Sequence, residues 1–190
     1  MAVVHRFDPP ERFVAGTVGE PGQRRFFLQA RGAYGLISVA CEKQQVQILA
    51  ERIAQMLDDV MRTGGTREPV PALTPVGLMD SDPLETPIDE QFRAGTITLS
   101  WDPQDERVVI EVFPVPETFE DEETDAEDEA EAAYDEVLLV RLGGGLARAF
   151  ANRAESVVAA GRPPCQFCGG PLDPRGHLCP RSNGYRRTPE

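Results

Sequence analysis

Four residues near the end of the chain have the types and spacing to hold a metal ion. Cys165 and Cys168 form a C-x-x-C pair, and His177 and Cys179 form an H-x-C pair a few residues on. Three thiolates and one imidazole are a common tetrahedral donor set for Zn2+, and a site whose four positions all come from protein is closed, hence structural. Between the pairs, Asp173-Pro174-Arg175-Gly176 places Asp, Pro and Gly where a type I turn favours them, so the chain should return over the Cys165–Cys168 knuckle. On an extended return arm His177 and Cys179 face the same side, because side chains alternate with period two. The competing readings explain fewer residues. A disulfide suits a secreted chain, but residues 1–6 lack the apolar run of a signal peptide. A redox-type C-x-x-C belongs near a βαβ unit. Here Pro163-Pro164 precede the pair, Gly169-Gly170-Pro171 follow it, and His177 and Cys179 would have no role.

The residues around the ligands suggest a contact surface. Arg175, Arg181, Asn183, Tyr185, Arg186 and Arg187 crowd the knuckle and the tail behind it. Guanidinium groups make bidentate contacts with carboxylate or phosphate, and a tyrosine ring can stack on a base. Docking to protein is the first reading of this surface, and weak contact with nucleic acid is the second.

Acid–base and nucleophilic chemistry has little to work with, and no residue is assigned a catalytic role. Of the two histidines, His177 belongs to the metal set and His5 lies in a strand with no nucleophile motif nearby. Leu142-Gly143-Gly144-Gly145 joins a strand to a helix and could aim amide groups at a phosphate. The Lys and Ser/Thr of a P-loop do not follow it, so a flexible connection is the favoured reading.

The elements that must position these residues come from the rest of the chain. At 190 residues and 41% hydrophobic content it can build one core-sized domain with a small appendage. No apolar run reaches the eighteen or so residues of a membrane span. Four cysteines without an export signal point to the cytoplasm. The net charge of −13 is concentrated: residues 117–136 hold twelve acids and no Lys or Arg. Residues 1–116 carry 17 acids against 11 bases, while residues 137–190 carry 8 bases against 3 acids. Self-repulsion and scant aliphatic content predict disorder for the acidic insertion. It also lacks the ligand spacing of a calcium loop.

Read in order, residues 3–42 resemble a β-meander. Val3–Phe7, Arg12–Val18, Arg24–Ala30 and Gly35–Cys41 are strand-like runs separated by turn residues, which predicts antiparallel pairing. Cys41 fits a small buried apolar residue. Glu42–Met61 carries Val46, Leu49, Ala50, Ile53, Leu57 and Val60 on one helical stripe. Residues 66–91 are rich in proline and aperiodic, and read as an extended crossover along the body. Phe92–Trp101 and Glu106–Phe113 form a hairpin, and Val137–Leu142 is a further strand. Gly143–Ala160 is a second helix, ended by Gly161 and Pro163-Pro164. Its Ala151-x-Arg153-Ala154 echoes Ala50-x-Arg52-Ile53, an echo short enough to arise by chance.

Asp8-Pro9-Pro10-Glu11-Arg12-Phe13, Phe26-Phe27-Leu28-Gln29-Ala30 and the final Cys-x-x-Cys-Gly-x-Pro-Leu-Asp-Pro-x-Gly-His-x-Cys-Pro-Arg-x-Asn-Gly-Tyr-Arg resemble a conserved actinobacterial family catalogued as a domain of unknown function. The resemblance spans nearly the whole chain and implies a cytoplasmic protein with no assigned reaction. The expected fold is α+β: antiparallel strands with two helices on one face over residues 1–161, then a zinc knuckle or ribbon with a basic tail over 162–190. The expected function is a non-enzymatic binding or adaptor protein in which zinc fixes the C-terminal contact surface. A nucleic-acid-associated module ranks second, and an enzyme acting on a phosphorylated or acidic ligand ranks third.

Overall fold

The computed structural model describes residues 3–20, 22–33, 35–116, 135–161, 165–169, 172, 177, 179 and 181. Among them are seven strands and two α-helices: β1 (Val3–Phe7), β2 (Arg12–Val18), β3 (Arg25–Gly32), β4 (Gly35–Cys41), α1 (Lys43–Thr63), β5 (Glu90–Asp102), β6 (Arg107–Pro114), β7 (Glu136–Gly143) and α2 (Gly144–Ala159). A single 3₁₀ turn, Val76–Leu78, punctuates the connector between α1 and β5. The class is α+β, as the alternation in the strands and the single apolar stripe of each helix require. Among the described residues, no helix is long and apolar enough to cross a membrane.

The strands form one sheet in the order β1-β7-β6-β5-β4-β3-β2. Most neighbours are antiparallel, but β4–β5 and β1–β7 run parallel. This corrects the expected four-strand meander. β1 does not pair with β2; it pairs with β7, from Val3 opposite Glu136 to Phe7 opposite Val140. Asp8-Pro9-Pro10-Glu11 therefore carries the chain from one edge of the sheet to the other. Proline removes the amide donors that a tight hairpin would use.

That link has a geometric consequence. Four residues between Phe7 and Arg12 can reach about 18 Å when fully extended. A flat sheet of seven strands would separate its edges by about 29 Å. The sheet must curl until its edges approach, and it does. The Phe7 ring at the end of β1 packs over Gly32 at the end of β3, next to the β2 edge.

The strand order also contains a repeat. β2-β3-β4-α1 and β5-β6-β7-α2 are successive three-strand-and-helix units, laid in the same order along the sheet. The first half of β5 runs parallel to β4, and its second half pairs antiparallel with β6 beyond a bulge between Ala94 and Ile97. β1 and β2 perform those two tasks as separate strands. The helical echo falls on equivalent buried positions: Ala50 and Ile53 of α1, and Ala151 and Ala154 of α2, are all fully buried.

Both helices pack on one face. Val108, Ile110 and Val112 of β6 and Leu138, Val140 and Leu142 of β7 point into the core, two residues apart in each strand. They meet Val46, Leu49, Ile53 and Leu57 of α1 and Phe150 of α2, within one cluster. Phe150 stacks on Phe13 at 4.6 Å between centroids. Cys41 lies at the edge of this core, and burial pushes its thiol up to about 12.

The connector covers the opposite face of β2–β4, where Leu84 joins Val14, Phe27 and Ala40 in a second apolar cluster. Polar groups pin it on either side. Asp80 accepts from Arg12 at 2.6 and 3.0 Å and from Arg153 of α2 at 2.6 Å. The buried Gln29 side chain reaches both the amide and the carbonyl of Glu85. Further along, the buried Arg148 holds Asp58 of α1 at 2.7 Å and the Pro71 carbonyl at 3.1 Å.

Candidate metal centre

Cys165 opens a tight knuckle a few residues beyond α2. The Gly169 amide donates to the Cys165 carbonyl at 2.9 Å, and the Phe167 amide points at the Cys165 sulfur at 3.4 Å. Gly169 has φ of 73°, a left-handed backbone that glycine adopts without a Cβ penalty, so the turn can close directly after Cys168. Donation from the Cys168 and Phe167 amides holds the Cys165 thiol below its ordinary range, which favours the thiolate that a metal needs. The returning arm brings His177 and Cys179 to the same place. The three sulfurs and one imidazole nitrogen lie within 4.8 Å of one another.

The spacing suits a tetrahedral ion. With Zn–S of about 2.3 Å and Zn–N of about 2.0 Å, ideal edges are about 3.8 Å between sulfurs and about 3.5 Å between sulfur and nitrogen. The Cys165 and Cys179 sulfurs are 3.8 Å apart, and the Cys168 sulfur is 3.2 Å from His177 Nε2. A disulfide would need about 2.05 Å, and none joins any of the four cysteines. Cys165 and Cys179 are buried, whereas Cys168 and His177 are half-buried. The donor set therefore fits a metal of the zinc type, with every position filled by protein.

Arg181 is the one member of the proposed contact surface among the described residues, and it donates to the Phe167 carbonyl at 3.1 Å. Arg175, Asn183, Tyr185, Arg186 and Arg187 lie outside the described residues, as do the expected turn at 173–176 and positions 117–134 of the acidic insertion. The insertion's last two positions are described. The Asp135 carbonyl accepts from the Val3 amide, and Glu136 opens β7, one residue earlier than expected. Sequence reasoning passed over Phe167. It stands between the two knuckle cysteines with 62% of its surface exposed.

The other two sequence candidates sit far from chemistry. His5 Nε2 lies 3.8 Å from Glu136 and makes no hydrogen bond among the described residues. Gly143–Gly145 borders a cavity of about 670 Å³. A Cβ on Gly145 would meet Leu78 at 3.0 Å, tighter than usual, and one on Gly144 would make ordinary contact with Val70 at 3.4 Å, so the connector crosses directly over the helix start. The strand runs straight into the helix, with α2 beginning at Gly144. The cavity wall carries Asp8, Glu68, Asp105 and Glu106 against Arg67 and Arg107, a balance that disfavours a phosphate.

A family model described as "Protein of unknown function (DUF3090)" matches residues 5–179, which takes in the body and all four candidate ligands. No curated protein matches the chain, and no solved structure does.

Proposed function

The chain belongs to the DUF3090 family of proteins of unknown function, and we propose that it is a cytoplasmic zinc protein that works by binding another protein, not by catalysis. One observation carries this reading: three sulfurs and an imidazole nitrogen converge within 4.8 Å at the end of a body that already has its own core. When bound, the ion supplies the cross-link that gives the knuckle its shape. Cys165 and Cys168 hold it from the tight turn, and His177 and Cys179 hold it from the return arm. With four protein donors no position remains for water or substrate, which argues for a structural metal.

The knuckle presents what a docking element needs. Phe167 is exposed at its tip, with the Arg181 guanidinium tied to the Phe167 carbonyl beside it. Aromatic residues and arginine are both enriched at protein contacts. The body offers a rigid mount, because α2 is packed against α1 and the sheet.

The test compares proteins captured from native lysate by the whole chain, by a chain ending at Gly161, and by a full-length Phe167→Ala variant. The reading expects a partner held by the whole chain and lost or much weakened in both others. A partner retained by the chain ending at Gly161 would move the contact surface to the body and overturn it.

A further inference from the structure

We propose that the metal centre is also a peroxide-responsive switch, in which Cys165 and Cys179 join as a disulfide and release the ion. This rests on the zinc reading above, since the ion released is the one held there. Their sulfurs are 3.8 Å apart, and bond formation needs them to close to about 2.05 Å. That movement is under 2 Å, a shift within reach of side-chain rotation in a turn whose described hydrogen bonds lie within residues 165–181.

The step balances with a peroxide as the only co-reactant. One thiolate attacks the peroxide oxygen, the O–O bond breaks, and a sulfenic acid forms as hydroxide leaves. The second thiolate attacks that sulfur, forming the S–S bond and expelling a second hydroxide. Both sulfurs are oxidised by one electron each, hydrogen peroxide is reduced, and two protons from solvent complete two molecules of water. The ion keeps Cys168 and His177 alone, and two donors do not make a closed tetrahedral site.

The pairing matters for the consequence. Cys165 lies on the tight turn and Cys179 on the return arm, so their disulfide replaces the metal cross-link between the two arms. A Cys165–Cys168 disulfide would lie within one turn and leave the return arm untethered. Oxidation through Cys165–Cys179 therefore reshapes the knuckle around Phe167 without detaching it. The remaining cysteine provides an internal reference. Cys41 lies in the body core, in a cluster that holds no other cysteine, so no second sulfur stands beside it to form a disulfide.

The experiment treats purified full-length protein with hydrogen peroxide while following released zinc with a chromophoric chelator and mapping cysteines by mass spectrometry. The expected result is zinc release in step with loss of two thiols per chain, a linked Cys165–Cys179 peptide, and Cys41 still alkylatable after denaturation. Dithiothreitol with added zinc should restore the starting state. A Cys179→Ser variant should form no such link, whereas Cys168→Ser should still form it. Zinc retained with all thiols intact, or a dominant Cys165–Cys168 link, overturns the proposal. Should the purified chain carry no zinc, the metal reading fails and this inference with it, whereas zinc present but retained under peroxide overturns this inference alone.

Discussion

Leu84 occupies the space that a side chain on Gly16 would need. A Cβ built on Gly16 would lie 2.5 Å from Leu84 Cγ and Cδ2. The connector is thereby keyed into β2, with Leu84 completing the apolar cluster formed by Val14, Phe27 and Ala40. Gly16→Ala should cost about 1–3 kcal/mol by overpacking, and Leu84→Ala about 2–3 kcal/mol, the low end for a site at the edge of a cluster. Urea unfolding of both single variants and the double variant tests the contact. Alanine at both positions should cost clearly less than the two single losses added together, since each relieves or removes the same contact. Full additivity would show that the two residues do not depend on each other.

Asp80 joins Arg12 and Arg153, and the Arg12 hydrogen bonds are the main reason its carboxyl is held below the ordinary carboxylate range. A depressed carboxylate contributes stability that is full above its unfolded value and is lost as pH falls through the folded one. Asp80→Asn should therefore cost about 1–3 kcal/mol near neutral pH, as a charge-assisted hydrogen bond lost. The gap to the unsubstituted protein should narrow as pH falls below about 4. Thermal melts at a series of pH values check this; a gap that stays constant down to acid pH would remove Asp80 from the account.

The acidic insertion joins β6 to β7, the place where the first repeat connects β3 to β4 through a two-residue link. Deleting residues 119–132 should leave the melting temperature nearly unchanged, because the segment has so little apolar surface to bury. A large drop on deletion would make the insertion an integral part of the fold.

Nucleic-acid binding should be weak and salt-labile. If Arg181, Arg186 and Arg187 each met a phosphate, log affinity would fall against log salt with a slope of about −2 for single strands. Residues 1–116 carry 17 acids against 11 bases, and the acidic run would repel the same phosphates. Filter binding of single-stranded DNA and RNA across salt concentrations decides it, and a tight complex surviving moderate salt would favour the second reading of the tail.

The cluster of Cys165, Cys168, His177 and Cys179, which could hold a metal ion, was legible because its members are local. C-x-x-C and H-x-C state their own geometry, and the short loop between them leaves few other ways to fold. The helices were legible because Val46, Leu49, Ile53 and Leu57 declare a single buried face, and β6 was legible from Val108, Ile110 and Val112. What stayed hidden depends on contacts distant in sequence. Val3 opposite Glu136 is a pairing that no local pattern encodes, and Asp8-Pro9-Pro10 reads as a hairpin turn until the edges of the sheet are known to meet. The repeat was visible only as a faint helical echo, because its two halves share burial and strand order far more than residue identity. Gly16 and Leu84 gave no sign of each other for the same reason.

The central claim is that Cys165, Cys168, His177 and Cys179 bind one zinc ion that folds the knuckle. The most direct measurement is elemental analysis of protein purified without added metal, joined to X-ray absorption at the zinc edge. The account predicts one zinc per chain, with three sulfurs at about 2.3 Å and one nitrogen at about 2.0 Å. Chelation should abolish that signal and loosen the knuckle while the body melts as before. Stoichiometric absence of zinc, or an oxygen-rich coordination sphere, would contradict it.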